Sequence, residues 1–305
     1  MGKTYIFGHK NPDTDTITSS LVMANFERKM GNSEAVACRL GNINKETEYV
    51  LNYLGIEAPE LIEKVEDGAN VILVDHNSPK ESIENLENVN ILKVVDHHKL
   101  VLETAYPLYY RAEPVGCTET VMYKLYKENN LEINKTIATL MVSAIISDTL
   151  LLKSPTTTNE DVKAVKELAE IAEIDPEVYG LEMLKAGTDL SSFTTEEILA
   201  LDAKSISFKD VKSVVAQVNT ASISDMLERK EEIEIAIQKV IDSKNLDLFF
   251  FAITDIINSN SQAIVFGNTE LVEKSYNVKI ENNTAFLPGV VSRKKQIIPV
   301  LTENA

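Results

Sequence analysis

Short, uninterrupted apolar runs alternate with longer amphipathic stretches through the first part of the chain. The runs of strand length are residues 4–8, 35–40, 71–74 and 91–95. Continuous apolar runs are typical of parallel strands that are covered on both faces. The spacing of apolar residues predicts helices at 15–29, 45–54, 117–129, 134–152, 159–173 and 176–187. The alternation therefore predicts an α/β domain in which helices cover both faces of a parallel sheet.

The pattern of apolar and polar residues changes after residue 187. The stretch 187–195 has linker composition, with glycine, serine and threonine prominent. Beyond it, strand-like runs lie at 211–219, 247–254, 262–267 and 290–301, with one long charged helix near 222–243. Consecutive strands without a crossover helix indicate a mixed sheet. We therefore predict a first domain at 1–188, a linker at 189–195 and a smaller α/β domain with a mixed sheet at 196–305.

Composition excludes several classes of protein. The chain has 305 residues, 44% hydrophobic and 25% charged, which suits a soluble globular protein of two domains. A net charge of -17 argues against nucleic acid as a partner. The apolar runs are far shorter than the roughly 20 residues that span a bilayer. Cys38 and Cys117 match no zinc or disulfide spacing, and no signal peptide precedes the first strand, so the expected location is the cytoplasm.

All four histidines lie in three short strings that also contain aspartate, at residues 9–15, 74–77 and 96–99. Each string follows a predicted strand, at the place where ligands bind in open α/β sheets. Because parallel strands end at the same edge, we expect the three strings to converge. A single Asp-His pair at a strand end is more often a hydrogen-bonded loop feature than a ligand. The joint occurrence of three strings favours a metal centre.

Carboxylate oxygen and imidazole nitrogen together suit divalent cations. Asp148 lies in a strongly apolar helical pattern and is either a helix-end cap or a ligand, since an unpaired buried carboxylate is costly. Four aspartates balance two divalent ions, which can clamp a hydroxide for in-line displacement at phosphorus. The residue types leave manganese, cobalt, zinc and magnesium open. The candidate metal ligands are His9, Asp13, Asp15, Asp75, His97 and Asp148.

A basic cluster interrupts the apolar run at 290–301, where Arg293, Lys294 and Lys295 are consecutive. Such a cluster either protects an edge strand by charge or clamps an anion, with arginine contacting phosphate oxygens bidentately. Lys204 either adds a third cation or is a solvated surface lysine. In a regular strand Arg293 and Lys295 would share a face, with Lys294 on the opposite face.

Five strings taken in order resemble those of the family II inorganic pyrophosphatases, the manganese-dependent class of the Asp-His-His phosphoesterase superfamily. They are residues 8–15, 74–77, 96–99, 147–149 and 292–296. The first and third strings alone indicate only the superfamily, whereas the terminal string and the order of all five are specific to the pyrophosphatases. The resemblance covers nearly the whole chain. It implies an active site between the two domains and a homodimer formed through the first domain.

The resemblance also implies roles for individual residues. His9 and Asp13 would hold one metal ion, and Asp75 would bridge it to a second. The second ion would be held by Asp15, His97 and Asp148. His98 would contact the substrate and protonate the leaving phosphate, while the residues that bind pyrophosphate from the second domain would be Lys204, Arg293 and Lys294. His76 and Asp96 are interpreted as groups that orient ligands.

The expected reaction is hydrolysis of pyrophosphate to two phosphates, with a metal-bridging hydroxide as the nucleophile. Manganese is the expected ion, with cobalt or magnesium as alternatives, and Mg²⁺ would accompany the substrate. The rivals are a phosphodiesterase or nanoRNA exonuclease of the same superfamily, a polyphosphate-trimming enzyme, and a non-enzymatic metal- and anion-binding protein. The nucleotide-acting members typically carry a glycine-rich string with histidine in the second domain, whereas no histidine follows His98 here.

Overall fold

The computed structural model describes residues 2–188, 190 and 193–305. The chain divides into two compact units, the first ending at Gly187 and the second beginning at Thr188. The predicted linker at 189–195 lies partly outside the described residues, because 189, 191 and 192 are not among them. No helix in the described part of the chain has the length and apolar character needed to cross a bilayer.

The first unit is built on a six-stranded sheet in which every pair of neighbouring strands is parallel. The strand order is β3-β2-β1-β4-β5-β6. The bounds are β1 Thr4–Phe7, β2 Ala35–Arg39, β3 Glu60–Leu61, β4 Asn70–Val74, β5 Asn90–Asp96 and β6 Tyr109–Ala112. The prediction of a parallel sheet is confirmed, and the short strands β3 and β6 were missed because their sequences are not apolar runs.

Four helices of the first unit begin after a residue whose side chain accepts a backbone N–H of the first turn. Asp13, Asn44, Asn134 and Thr158 serve in this way, as N-cap residues commonly do. The bounds are α1 Thr14–Lys29, α2 Lys45–Leu54, α3 Thr118–Glu128, α4 Lys135–Thr149, α5 Asn159–Ala172 and α6 Pro176–Gly187. The predicted helix at 134–152 was three residues too long, because residues 150–152 have left-handed backbone angles.

The second unit contains a mixed five-stranded sheet in the order β11-β10-β9-β8-β7, with only β8 and β9 parallel among its described strands. Apolar clusters lie on both of its faces. The strands are β7 Ala203–Phe208, β8 Val211–Thr220, β9 Leu248–Asp255, β10 Asn260–Gly267 and β11 Thr284–Pro288. The helices are α7 Thr195–Leu201, α8 Ile223–Glu228, α9 Lys230–Lys244, α10 Thr269–Tyr276 and α11 Ile298–Asn304. The prediction of a mixed sheet is confirmed, although the long helix predicted at 222–243 is divided at Arg229.

The predicted strand at 290–301 was wrong. Residues Arg293–Ile297 form a single π-helical turn that leads directly into α11. The Ser292 side chain accepts the N–H of Lys295, and Pro299 occupies the first turn of α11, where a missing N–H costs nothing. In a helical turn, consecutive residues point about 80–100° apart and residues two apart point roughly 160–200° apart. The side chains of Arg293 and Lys294 therefore point in more similar directions, whereas the side chain of Lys295 points away from that of Arg293.

Candidate metal centre

Three neighbouring strands of the first unit end in the predicted histidine strings. β1 leads through Gly8 to His9, β4 leads to Asp75, and β5 ends at Asp96 followed by His97. These strands lie in the order β1-β4-β5 and are parallel, so their carboxyl ends meet at one edge of the sheet. The convergence predicted from the sequence is therefore present in the structure.

Asp75 occupies the middle of this edge. Its backbone has φ 57°, a left-handed conformation that is uncommon for a residue other than glycine. Oδ2 of Asp75 lies 3.5 Å from Nε2 of His9, and Oδ1 lies 3.5 Å from Nε2 of His97. One fully buried carboxylate therefore faces a different histidine with each of its oxygens.

The other candidate ligands gather on the two sides of Asp75. Asp13 Oδ2 lies 3.5 Å from Nε2 of His9, and Asp148 Oδ2 lies 3.9 Å from Nε2 of His97. Within the described residues, three sets of side chains each place one ligand atom apiece within 4.8 Å of one another. These sets are His9, Asp13 and Asp75; Asp15, His97 and Asp148; and Asp75, His97 and His98.

Burial disfavours the ionised forms of Asp75 and Asp148, and repulsion from neighbouring carboxylates adds to it. Burial raises the pKa of Asp75 well above its usual range, and the charges of Asp15 and Asp13 raise it further. Asp148 is affected in the same way, with burial as the larger cause and Asp15 as the next. Burial lowers the pKa of His97, which favours a neutral ring with a lone pair to offer. Buried carboxylates held this close require compensating positive charge, and divalent cations supply it.

Hydroxyl and amide groups that the sequence reasoning missed fix the orientation of the carboxylates. Thr16 Oγ1 donates to Oδ2 of Asp75 at 2.7 Å, and Thr118 Oγ1 donates to Oδ1 at 2.9 Å. Thr118 also donates its backbone N–H to Asp15 Oδ2 at 2.8 Å, and Ser19 Oγ donates to the other oxygen of Asp15 at 2.9 Å. Thr118 starts a helix 43 residues after Asp75 in sequence, so no local motif could reveal its role.

The histidines are also oriented through their second ring nitrogen. Nδ1 of His9 lies 2.8 Å from the carbonyl oxygen of Lys10, and Nδ1 of His97 lies 3.2 Å from that of Val115. Both rings therefore present Nε2 toward Asp75. Backbone carbonyls in this position are common partners of metal-ligating histidines.

Asp96 has the orienting position that the sequence predicted. His76, in contrast, forms no hydrogen bond with a candidate ligand among the described contacts. Asp96 Oδ1 accepts Nδ1 of His98 at 2.9 Å and the N–H groups of His97 and His98. Burial opposes ionisation of Asp96, but the bonds from His98 and Asn77 hold its pKa well below its usual range. Nδ1 of His76 lies 3.0 Å from the Val74 carbonyl, and its buried Nε2 has no hydrogen-bond partner among the described residues.

The basic cluster belongs to the second unit, where two glutamines hold its backbone. Gln217 accepts the N–H of Arg293 at 2.9 Å and donates to the carbonyl of Val291 at 2.9 Å. Gln296 accepts the N–H groups of Val291 at 2.9 Å and Ser292 at 3.1 Å. These four bonds fix the course of the chain into the π-helical turn.

The guanidinium group of Arg293 is fixed separately. It pairs with the carboxylate of Asp202 at 2.6 Å and also donates to the Asp202 carbonyl. Lys294 and Lys295 are exposed, and Lys204 is exposed on β7. The predicted anion-binding residues Lys204, Arg293 and Lys294 therefore all lie in the second unit, two of them on its surface.

The donor set fits two divalent cations. Oxygen and imidazole nitrogen are ligands for manganese, cobalt, magnesium or zinc, and no cysteine joins any of the three sets within the described residues. The two sets that share no residue contain four carboxylates, enough to balance two doubly charged ions. Asp75 stands between those sets because it faces a histidine of each.

Comparison with known proteins agrees with this geometry. The family model of the DHH family, N-terminal domain, matches residues 3–145, and that of the DHHA2 domain matches residues 181–304. A probable manganese-dependent inorganic pyrophosphatase of an Exiguobacterium species is 56% identical, covering 100% of this chain and 99% of its own. The manganese-dependent inorganic pyrophosphatase of Bacillus subtilis is also 56% identical, covering 99% of each chain.

Solved structures support the same assignment. The crystal structure of a putative family II inorganic pyrophosphatase from Methanococcus jannaschii superposes with a TM-score of 0.80, at 42% identity and over 99% of each chain. An exopolyphosphatase-related protein from Bacteroides fragilis, at 15% identity and a TM-score of 0.51 over 99% of this chain and 91% of its own, shares the fold alone. Full-length identity above one half, both domain models and the converging histidine strings agree, and the chain belongs to the manganese-dependent, or family II, inorganic pyrophosphatases.

Proposed function

We propose that this chain hydrolyses pyrophosphate to two phosphate ions with the help of two divalent metal ions, of which manganese is the expected one. The observation that carries the proposal is the position of Asp75, whose two oxygens face His9 and His97. A carboxylate placed in this way is suited to bridge two cations. Paired cations of this kind serve in-line displacement at phosphorus, and membership of the pyrophosphatase family supports the same chemistry.

The proposed ligands divide into two groups around Asp75. His9 and Asp13 would hold one ion, and Asp15, His97 and Asp148 would hold the other. The ions would supply Lewis-acid stabilisation of phosphate charge and a reactive nucleophile from water at neutral pH. Thr16 and Thr118 keep the carboxylate of Asp75 turned toward both sides.

His98 is the proposed proton donor to the leaving phosphate. Asp96 accepts from Nδ1 of its ring at 2.9 Å and from its backbone N–H at 3.0 Å, which fixes the direction of the imidazole. With Nδ1 bound to Asp96, Nε2 is the nitrogen that holds and transfers a proton. The side chain is 42% exposed, so a substrate can reach it.

Arg293, Lys294 and Lys204 are proposed to bind the phosphate groups of pyrophosphate. Asp202 holds part of the Arg293 guanidinium, and the group has five N–H donors in total, so donors remain for phosphate oxygens. In the π-helical turn, the side chain of Lys294 points in a direction closer to that of Arg293 than the side chain of Lys295 does. Fixed cations of this kind stabilise charge that develops on phosphate during the reaction.

A metal add-back experiment tests the cofactor. Metal-stripped protein supplied only with Mg²⁺, which accompanies the substrate, is expected to release phosphate slowly, and Mn²⁺ added to it is expected to restore the activity more fully than Co²⁺ or Zn²⁺. The proposed donors, imidazole and carboxylate without sulfur, suit manganese. Full activity of the stripped protein in the presence of a strong chelator would contradict the two-ion centre.

The same assay separates the rival functions. Pyrophosphate, a long polyphosphate, a cyclic dinucleotide and a short oligonucleotide are supplied side by side to the manganese-loaded protein. Preferred turnover of a nucleotide substrate would indicate a phosphodiesterase or nanoRNA exonuclease, and preferred turnover of polyphosphate a chain-trimming enzyme. Binding of metal and phosphate without any turnover would indicate a non-enzymatic protein.

We further propose that the chain forms a homodimer through its first domain. Strand β6 is one edge of the sheet, and two of its side chains are partly exposed, Tyr109 at 45% and Tyr110 at 36%. An unpaired strand edge with apolar side chains is a ready surface for a second copy of the chain. Light scattering is expected to give about twice the 33.9 kDa of one chain, and Tyr109→Glu is expected to lower that mass.

The matched control for this variant is Val162→Glu, because Val162 is equally exposed, at 45%, but lies on helix α5. A monomeric wild-type protein, or a dimer that Tyr109→Glu leaves intact, would contradict the proposed interface.

The proposed location is the cytoplasm, where the buried thiols of Cys38 and Cys117 would stay reduced. Cell fractionation tests the location.

A further inference from the structure

Glu46, which is not among the proposed metal ligands, forms hydrogen bonds with two of the sequence segments that contain those ligands. Thr14 Oγ1 donates to Oε1 of Glu46 at 2.6 Å, and Ser147 Oγ donates to the same oxygen at 2.5 Å. Thr14 lies between Asp13 and Asp15 in sequence, and Ser147 immediately precedes Asp148. A single carboxylate oxygen therefore holds the start of α1 and the end of α4 at once.

The surroundings of Glu46 leave its side chain little freedom. It lies in the first turn of α2, whose N-cap is Asn44. Helix α6 passes so close that a β-carbon added to Gly187 would lie 2.8 Å from Cβ of Glu46 and 3.1 Å from its Oε2. Thr14, which is fully buried, also lies 3.2 Å from the hydroxyl of Thr47 in the same helix. The acceptor is therefore fixed by packing as well as by hydrogen bonds.

We propose that Glu46 is a positioning residue that fastens the Asp15 end of α1 to the Asp148 end of α4 and so sets the affinity of the centre for one of its two divalent ions. The inference rests on the proposed ligand roles of Asp15 and Asp148. Asp15 and Asp148 lie on different helices, yet each offers one oxygen to the same set of candidate ligands. The distance between these oxygens therefore depends on how α1 and α4 are held together. Glu46 holds them together through an oxygen whose two lone pairs accept two hydroxyl donors.

A direct role for Glu46 as a ligand has less support. In the part of the chain that the structure describes, Glu46 belongs to none of the three sets of potential ligands that lie within 4.8 Å of one another. Its contacts with Thr14 and Ser147 are to residues adjacent to ligands rather than to the ligands themselves. Its effect is therefore expected on metal affinity, through the geometry of Asp15 and Asp148.

The test is Mn²⁺ binding to metal-stripped protein, measured by titration calorimetry without substrate. Glu46→Ala removes the shared acceptor and is expected to weaken Mn²⁺ binding about 10- to 100-fold, as loss of residues that orient ligands typically does. Glu46→Gln keeps an oxygen that can accept both hydroxyls and is expected to retain most of the affinity. Glu48→Ala is the matched control, because Glu48 lies in the same helical turn and pairs only with exposed Lys45 among the contacts described.

Two further variants keep the inference testable if Glu46→Ala fails to fold. Ser147→Ala and Thr14→Val each remove one hydroxyl donor and are each expected to weaken Mn²⁺ binding, by less than Glu46→Ala. Wild-type affinity in Glu46→Ala, or in both hydroxyl variants, would overturn the inference. So would a Glu46→Gln variant as weak as Glu46→Ala, because charge rather than acceptor geometry would then be responsible.

Asp148→Asn distinguishes failure of this inference from failure of the proposed metal centre. If Asp148→Asn loses Mn²⁺ binding while Glu46→Ala keeps it, the centre stands and Glu46 has no positioning role. If Asp148→Asn itself binds Mn²⁺ as tightly as the wild type, the ligand assignment is wrong and the inference about Glu46 falls with it.

Discussion

Replacing Asp75 by asparagine is expected to lower the rate of phosphate release from pyrophosphate by more than about 100-fold. Groups that only orient metal ligands typically contribute about 10- to 100-fold to affinity or activity, and Asp75 faces both histidines directly. Asparagine keeps one oxygen but loses the negative charge and the second oxygen. One of the two cation positions would therefore lose the carboxylate oxygen that Asp75 provides. The measurement is the steady-state rate with saturating Mn²⁺ and Mg²⁺.

The same substitution is expected to leave the metal-free protein at least as stable as the wild type. Burial and the charges of Asp15 and Asp13 raise the pKa of Asp75 well above its usual range, so ionised Asp75 destabilises the metal-free fold. An amide removes that repulsion. The hydroxyls of Thr16 and Thr118, which now donate to Asp75, can also accept from the new amide. Thermal unfolding in the presence of a chelator is expected to show an unchanged or higher midpoint.

Loss of activity without loss of stability is the result that separates a functional residue from a structural one at this position. Asp67→Asn is the control, because Asp67 is exposed in the same unit and bonds only to Asn85 among the described contacts. A rate within a few-fold of the wild type for Asp75→Asn would contradict the shared-ligand assignment. A large drop in the unfolding midpoint would show that Asp75 is needed for the fold itself.

The first unit of the fold could be predicted well because its elements are set locally. Helix α2 has the bounds that were predicted, since Asn44 caps its start and Gly55, in a left-handed conformation, ends it. Strands β1, β4 and β5 are apolar runs that end at a polar string. Such signals lie within a few residues of the element they define.

Non-local contacts determine the parts that the sequence did not reveal. Within the stretch predicted as a strand at 290–301, Arg293–Ile297 form a helical turn. Gln217, 76 residues earlier, accepts the N–H of Arg293 at the start of that turn. Edge strand β6 has the sequence Tyr-Tyr-Arg-Ala, which shows no apolar run, and depends on pairing with β5. At the metal centre, the ligand types were predictable from the strings, whereas Thr118 and Glu46 act across 43 and 101 residues of sequence.

The change from strand to helical turn gives the second large prediction. In a strand Lys295 would share a face with Arg293, whereas in the π-helical turn Lys294 points closer to Arg293. Arg293→Met is expected to lower kcat/KM for pyrophosphate about 100-fold, and Lys294→Met about 10-fold. These values correspond to the loss of charge-assisted hydrogen bonds worth about 1.5–3 kcal/mol each.

Lys295→Met is the matched control, because it removes the same charge from the next residue of the same turn and is expected to stay within a few-fold of the wild type. The three variants are compared at several substrate concentrations and at two ionic strengths, since a general effect of net charge would weaken with salt in all three. A loss in Lys295→Met that exceeds the loss in Lys294→Met would contradict the pairing of Arg293 with Lys294. Because all three residues belong to one turn held by Gln217 and Gln296, the comparison varies the position of a charge while the backbone that carries it stays the same.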